Sequence, residues 1–123
     1  VLRTDFRNHL EVFHDSSKSV HVYTDASKSE NGVGAAAYIP DPPLEKKACL
    51  NKHFSIFSAE CIAIILALKM IFYSSKKLKN FTVLSDSFSV ITSINSFNSR
   101  HPYVKEIQEW LLRCHSVYKG VTQ

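Results

Sequence analysis

Polar and apolar positions alternate from Ser19 to Asp25, with Val20, Val22 and Thr24 interleaved with His21, Tyr23 and Asp25. A period of two in β-branched and aromatic residues predicts a strand with one buried face. After the turn signal Asn31-Gly32, the run GVGAAAYI predicts the return strand of a hairpin. The cluster Pro40-Asp41-Pro42-Pro43 stops that strand, and EKKACLNKHF predicts a third with an alternating basic face. The period then changes. SIFSAECIAIILALKMIFYSSKK, from Ser55 to Lys77, contains no Gly or Pro, starts polar and ends basic, which predicts a long buried helix. NFTVLSD predicts a fourth strand ending in Asp86, and SFSVITSINSF a short helix. HPYVKEIQEWLLRCHSVYK predicts a longer helix, with Pro102 near its start and Val104, Ile107, Trp110, Leu111 and Cys114 along one side. The last four residues, GVTQ, read as the start of a fifth strand. Residues 1–19 are mixed and polar with a loop signal at HDSSKS, a lead-in to one domain over 20–123.

Three strands, a helix, a strand, two helices and the start of a strand describe an α/β domain with a mixed sheet. The long helix lets the fourth strand run parallel to the first and beside it. Asp25 and Asp86 then stand at the carboxyl ends of adjacent parallel strands, where open α/β sheets hold their ligands.

Composition narrows the partner. At 123 residues, 45% hydrophobic and 11% aromatic, the chain supports one core. Fifteen Lys and Arg against eleven Asp and Glu leave a net +4 and a pI near 9.0, which favours a polyanion such as nucleic acid. Cys49, Cys61 and Cys114 form no CxxC pair and have no histidine at zinc-finger spacing, which fits reduced thiols in the nucleus or cytoplasm. The longest uncharged apolar run, Cys61 to Leu68, is far short of the roughly 18 residues of a membrane span. VLRTDFRNHL lacks a signal-peptide core, so neither a membrane nor an export role is expected.

Glu60 shares a helix face with Ile64, Ala67 and Ile71. Two readings are open: an early-helix acid favoured by the helix dipole and reaching solvent, or a buried carboxylate. Burial costs several kcal/mol unless the group gains a partner, a raised pKa or a metal ion. Singly, Asp25 reads as a turn residue and Asp86, before SFS, as a helix cap. Together the three acids would meet in one small volume, where like charges repel unless cations lie between them. Hard oxygen donors suit Mg²⁺ or Mn²⁺, and two such ions ~4 Å apart are the usual clamp for in-line displacement at phosphorus.

The stretches VYTDASKSENGVGAAAYI, SIFSAECIAIILALKMI and FTVLSDSFSVITSI, in this order and spacing, resemble the ribonuclease H domain in the style carried by non-LTR retrotransposon polyproteins. The likeness runs from Val20 to the chain end, and the family's TDxS, AE and SDS acids fall on Asp25, Glu60 and Asp86. The resemblance implies a ribonuclease H-like fold, with a mixed five-stranded sheet in the order 3-2-1-4-5 flanked by helices. It also implies two-metal hydrolysis of the RNA strand of RNA–DNA hybrids with Mg²⁺ or Mn²⁺, leaving 5′-phosphate and 3′-hydroxyl ends. An upstream reverse transcriptase domain is the implied neighbour. On this reading Ala26 and Ser27 let a nucleic-acid backbone approach, Ser27 offering a hydroxyl to the RNA strand. Ser87 is a substrate-side hydroxyl or a helix cap, and Gly32 and Gly34 are either close-approach or plain hairpin glycines.

The chain also departs from the family pattern. It ends at Gln123 within the expected fifth strand, so the GNExAD-like motif with a fourth acid, the preceding histidine loop and the final helix are missing. Expected consequences are a weakened second ion, reduced activity and an exposed sheet edge inviting a homodimer. Ile56, Phe57 and Ser58 stand where family members often place Asn or Gln. The rival readings are a non-catalytic nucleic-acid-binding or assembly module that keeps the fold, and a purely structural domain. Lys46, Lys47, Lys52, Lys76, Lys77, Lys79 and Arg100 read as solvated surface or as phosphate-tracking charges. Tyr23, Phe54, Phe57 and Trp110 read as core. The six histidines show no metal spacing.

Overall fold

The computed structural model describes residues 3–4, 9–13, 19–40, 43–73, 80–96 and 99–122, with side chains described over 20–40, 43–73, 81–96 and 99–114. Its elements, in chain order, are β1 (Arg3–Thr4), β2 (His9–Phe13), β3 (Ser19–Ser29), β4 (Gly32–Pro40), β5 (Pro43–Leu50), α1 (Ile56–Phe72), β6 (Asn80–Leu84), α2 (Phe88–Ile94) and α3 (Pro102–Thr122). They form an α/β arrangement around one mixed sheet.

The alternating stretch at Ser19 becomes the central strand. β3 pairs antiparallel with β4, β4 antiparallel with β5, and β6 parallel with β3 from Ser19↔Asn80 to Tyr23↔Leu84. This gives the third-second-first-fourth order expected for the four strands from Ser19 onward. The hairpin turn differs by one residue: Ser29 pairs with Gly32, so the two-residue turn is Glu30-Asn31 rather than Asn31-Gly32. The Ser29 hydroxyl explains the shift. It accepts the Asn31 backbone N–H at 3.3 Å and donates to the Gly32 carbonyl at 3.5 Å, closing the turn one position early. A side chain at position 32 would meet nothing within 4 Å and one at 34 only ordinary contacts, so neither glycine is required by space.

The expected fifth strand is not formed, because Gly120, Val121 and Thr122 continue α3. Helix extension adds a hydrogen bond per residue without closing a new loop. The place beside β6 is moreover taken by β2, which pairs antiparallel with it, and β1 adds to the outer side of β2. Residues read as a lead-in thus supply two strands, and the edge expected to lie open beside the fourth strand is paired. Lys76, Lys77, Lys79 and Gln123 lie outside the described residues.

The helices pack on one face of the sheet. Val22, Ala37, Phe81 and Val83 from the strands meet Ile64, Leu68 and Ile71 of α1, Val90 and Ile91 of α2, and Val104, Ile107 and Leu111 of α3 in one buried cluster. All five positions expected along one side of α3, including Trp110 and Cys114, are buried. Tyr23 is the exception to the expected core, being 45% exposed. The period that buries Val22 and Thr24 sends Tyr23 to the opposite face beside its partner Tyr38, which is also exposed. Phe54 and Phe57 are half-buried against Tyr103 and His101. Burial pushes the thiols of Cys61 and Cys114 up to about 12, and all three cysteines are free. No helix among the described residues is long and apolar enough to cross a membrane.

Ile64 is fully buried at the centre of this cluster. Ile64→Ala is therefore expected to cost about 2–5 kcal/mol in urea unfolding, whereas Tyr23→Ser is expected to change stability by no more than about 0.5 kcal/mol.

Candidate metal centre

β3 and β6 separate after the pair Tyr23↔Leu84. Asp25 lies just past that pair on β3, and Asp86 just past it on the chain leaving β6. The two strands are tied at the fork by the Thr24 hydroxyl, which donates to the Leu84 carbonyl at 2.7 Å. A notch therefore opens where β6 ends beside β3, which itself runs on to Ser29 in the hairpin with β4, so Asp25 lies within its strand rather than at the expected strand end.

α1 fills the notch from the helical side. Its start is set by Ser55, whose side chain accepts the Ser58 N–H at 3.0 Å in an N-cap. Glu60 follows in a stretch where Ala59, Cys61, Ala63 and Ile64 are all buried, so its side chain enters the interior and is only 6% exposed. The Ser85 hydroxyl donates to Glu60 Oε2 at 3.5 Å and accepts the Ser87 N–H at 3.1 Å. The backbone N–H of Ala26 also donates to the Glu60 carboxylate.

One carboxylate oxygen from each of Asp25, Glu60 and Asp86 lies within 4.8 Å of the others. Asp25 and Asp86 face solvent, and Glu60 closes the site from below. Burial foremost, then the charges of Asp86 and Asp25, push Glu60 up from 4.5 to about 7, opposed by the hydrogen bonds from Ala26 and Ser85. Near neutrality the group thus holds its proton only part of the time. Three hard oxygen donors in reach of one point, one of them a buried acid with few donors to satisfy it, fit a divalent cation.

The three local alternatives fail on geometry: Asp25 lies within the β3–β4 ladder opposite Ala36 and not in a turn. Glu60 does not reach solvent, and Asp86 does not cap α2, because the N-cap position belongs to Ser87. Ser87 makes no side-chain cap bond and adjoins the cluster through Ser85. Ser27 stands exposed two positions beyond Asp25 on β3, opposite Gly34. The structure thus brings Asp25, Glu60 and Asp86 together and sets Ser87 beside them, while Ser27 flanks them along the strand. Ser85 and Thr24 were not singled out from the sequence. Ser85 was legible in principle, since it continues the buried parity of Phe81 and Val83 as a polar residue. The chain matches no family model, no curated protein and no solved structure.

Because the folded-state pKa of Glu60 is raised, the folded protein holds more protons than the unfolded chain between pH 4.5 and about 7. The associated stability is fully present below pH 4.5 and is lost as pH rises through about 7. Metal-free Glu60→Gln is accordingly expected to melt several degrees higher than the parent at pH 8 and at nearly the same temperature at pH 4, measured by scanning calorimetry. A parent protein whose melting temperature relative to the variant does not change with pH would show that Glu60 titrates normally.

Proposed function

We propose that this chain is a metal-dependent endonuclease of the ribonuclease H type that hydrolyses the RNA strand of RNA–DNA hybrids. The observation that carries the reading is the convergence of three carboxylates, distant in sequence, within 4.8 Å at the fork of two parallel strands. A phosphodiester brought to that point would meet three acids of its own sign. The arrangement is productive toward nucleic acid only with cations present, which favours obligatory metal dependence.

Asp25, Glu60 and Asp86 would hold Mg²⁺ or Mn²⁺, with two ions expected for full activity. Ions bound there supply neutralisation of the charge that builds at phosphorus and activation of water at neutral pH. The chain's own residues do the rest. Glu60 would have to be ionised to hold a cation, and Ser85 and the Ala26 N–H favour its ionised form. The exposed Ser27 hydroxyl, on the same strand as Asp25, would donate to the RNA strand, and Ser87, joined to the cluster through Ser85, would be a second substrate-side hydroxyl. Exposed Lys46, Lys47, Lys52 and Arg100 supply positive surface for the flanking phosphates. A polyprotein with a reverse transcriptase upstream, acting in the nucleus or cytoplasm, is the setting this activity fits.

The test is cleavage of an end-labelled RNA strand annealed to DNA, in Mg²⁺ or Mn²⁺. The parent is expected to cut, chelation to abolish cutting, and Asp25→Asn to slow it at least about 100-fold, since even indirect perturbation of a metal site costs 10- to 100-fold. Salt-sensitive hybrid binding without cutting in either metal would favour the rival binding module. Cutting that survives Asp25→Asn would refute the assignment of the site.

A further inference from the structure

Asp86 is mounted on a short support. β6 is five residues long, and Ser85 and Asp86 leave it directly after Leu84. How closely Asp86 approaches Glu60 and Asp25 therefore depends on how firmly Leu84 is held. On its inner side β6 pairs parallel with β3, ending at Tyr23↔Leu84. On its outer side β2 pairs antiparallel through His9↔Leu84, Leu10↔Val83, Glu11↔Thr82 and Phe13↔Phe81. Both ladders end at Leu84, the residue from which the acid-bearing chain departs.

Two details bear on this end of the strand. The register shift between Glu11 and Phe13 falls at the Phe81 end, so the pairing is regular where it approaches Ser85. Ser85 is also the residue whose hydroxyl reaches Glu60, so play at Leu84 reaches two of the three acids. A five-residue strand held on one side only, by a parallel ladder, would be an edge strand with its other row of backbone groups unpaired. β2 converts it into an interior strand.

We infer that β2 is a positioning strand for the acid cluster: by completing the outer edge of β6 it holds Ser85 and Asp86 where Asp25 and Glu60 share a cation with them. This rests on the reading of the cluster as a divalent-cation site. β2 makes no contact with the cation and acts only through the β6 backbone.

The experiment uses the full chain and Mn²⁺ as probe. Leu10→Pro breaks the β2–β6 ladder, because proline removes a backbone donor within a strand. Glu45→Pro disturbs β5 at the opposite edge and controls for general loss of stability. Both variants are expected to melt lower than the parent. Leu10→Pro is expected to weaken Mn²⁺ binding at least about tenfold and to speed amide exchange at Val83 and Leu84, while Glu45→Pro keeps the parent affinity. Equal Mn²⁺ affinity in parent and Leu10→Pro overturns the inference while leaving the cation site intact, and so does an equal loss in both variants. Absence of Mn²⁺ binding by the parent removes the cation-site reading and the inference with it. Should Leu10→Pro fail to fold, exchange in the parent decides: because the Leu84 carbonyl faces Thr24 on β3, the neighbouring Val83 amide faces β2, and its protection matching Val22 supports the role of β2 while an unprotected Val83 amide overturns it.

Discussion

The parallel pairing of β3 with β6 is the constraint on which the rest of the molecule depends. It demands a crossover, which α1 supplies, and it sets the carboxyl end of β6 beside the middle of β3. Because the ladder stops at Tyr23↔Leu84, the chains fork with Asp25 on one branch and Asp86 on the other. The helix that makes the crossover possible is also the one whose burial drives Glu60 into the fork. Each mutual repulsion at 4.8 Å costs between about 1 and about 3.5 kcal/mol, depending on how water-like the surroundings are. One fully buried Ile or Leu contributes about 1.5–3 kcal/mol, and Ile64, Leu68 and Ile71 are all fully buried on α1. Burial of α1 is thus of the same order as the repulsion and helps hold the acids together.

That imbalance gives the cluster its chemistry. A carboxyl pushed up to about 7 by burial and by two neighbouring acids holds a proton weakly near neutral pH. A divalent cation held there, as proposed, would relieve the same repulsion with twice the charge in exchange for that proton. Polarity around the site supports the exchange: the Ala26 N–H and the Ser85 hydroxyl both favour the ionised acid. Asp25 and Asp86 are open to solvent, so the cluster is accessible from outside the fold.

Much of this was legible in the amino-acid order. Strict alternation from Val20 identified β3 and its buried face, and the unbroken apolar run after Ser55 identified α1. The conflict between Glu60 and its apolar neighbours marked the acid that the structure buries. What escaped was set by partners distant in sequence. His9–Phe13 alternates, but five residues carry little signal, and only the free edge of β6 gives them a place. The end of the chain looked strand-like at Val121 and Thr122, yet with that edge occupied the continuing helix is the lower-energy state. The turn moved by one residue because a serine hydroxyl, rather than the glycine, closes it. Tyr23 was expected in the core with the other aromatics, although its parity opposes that of Val22.

The most direct measurement is paramagnetic broadening of amide resonances by substoichiometric Mn²⁺. The account predicts that signals from Asp25, Ala26, Glu60, Ser85 and Asp86 disappear first and together, and that Mg²⁺ in excess restores them. Broadening centred elsewhere, or spread evenly over the surface acids such as Glu45 and Glu109, would contradict it.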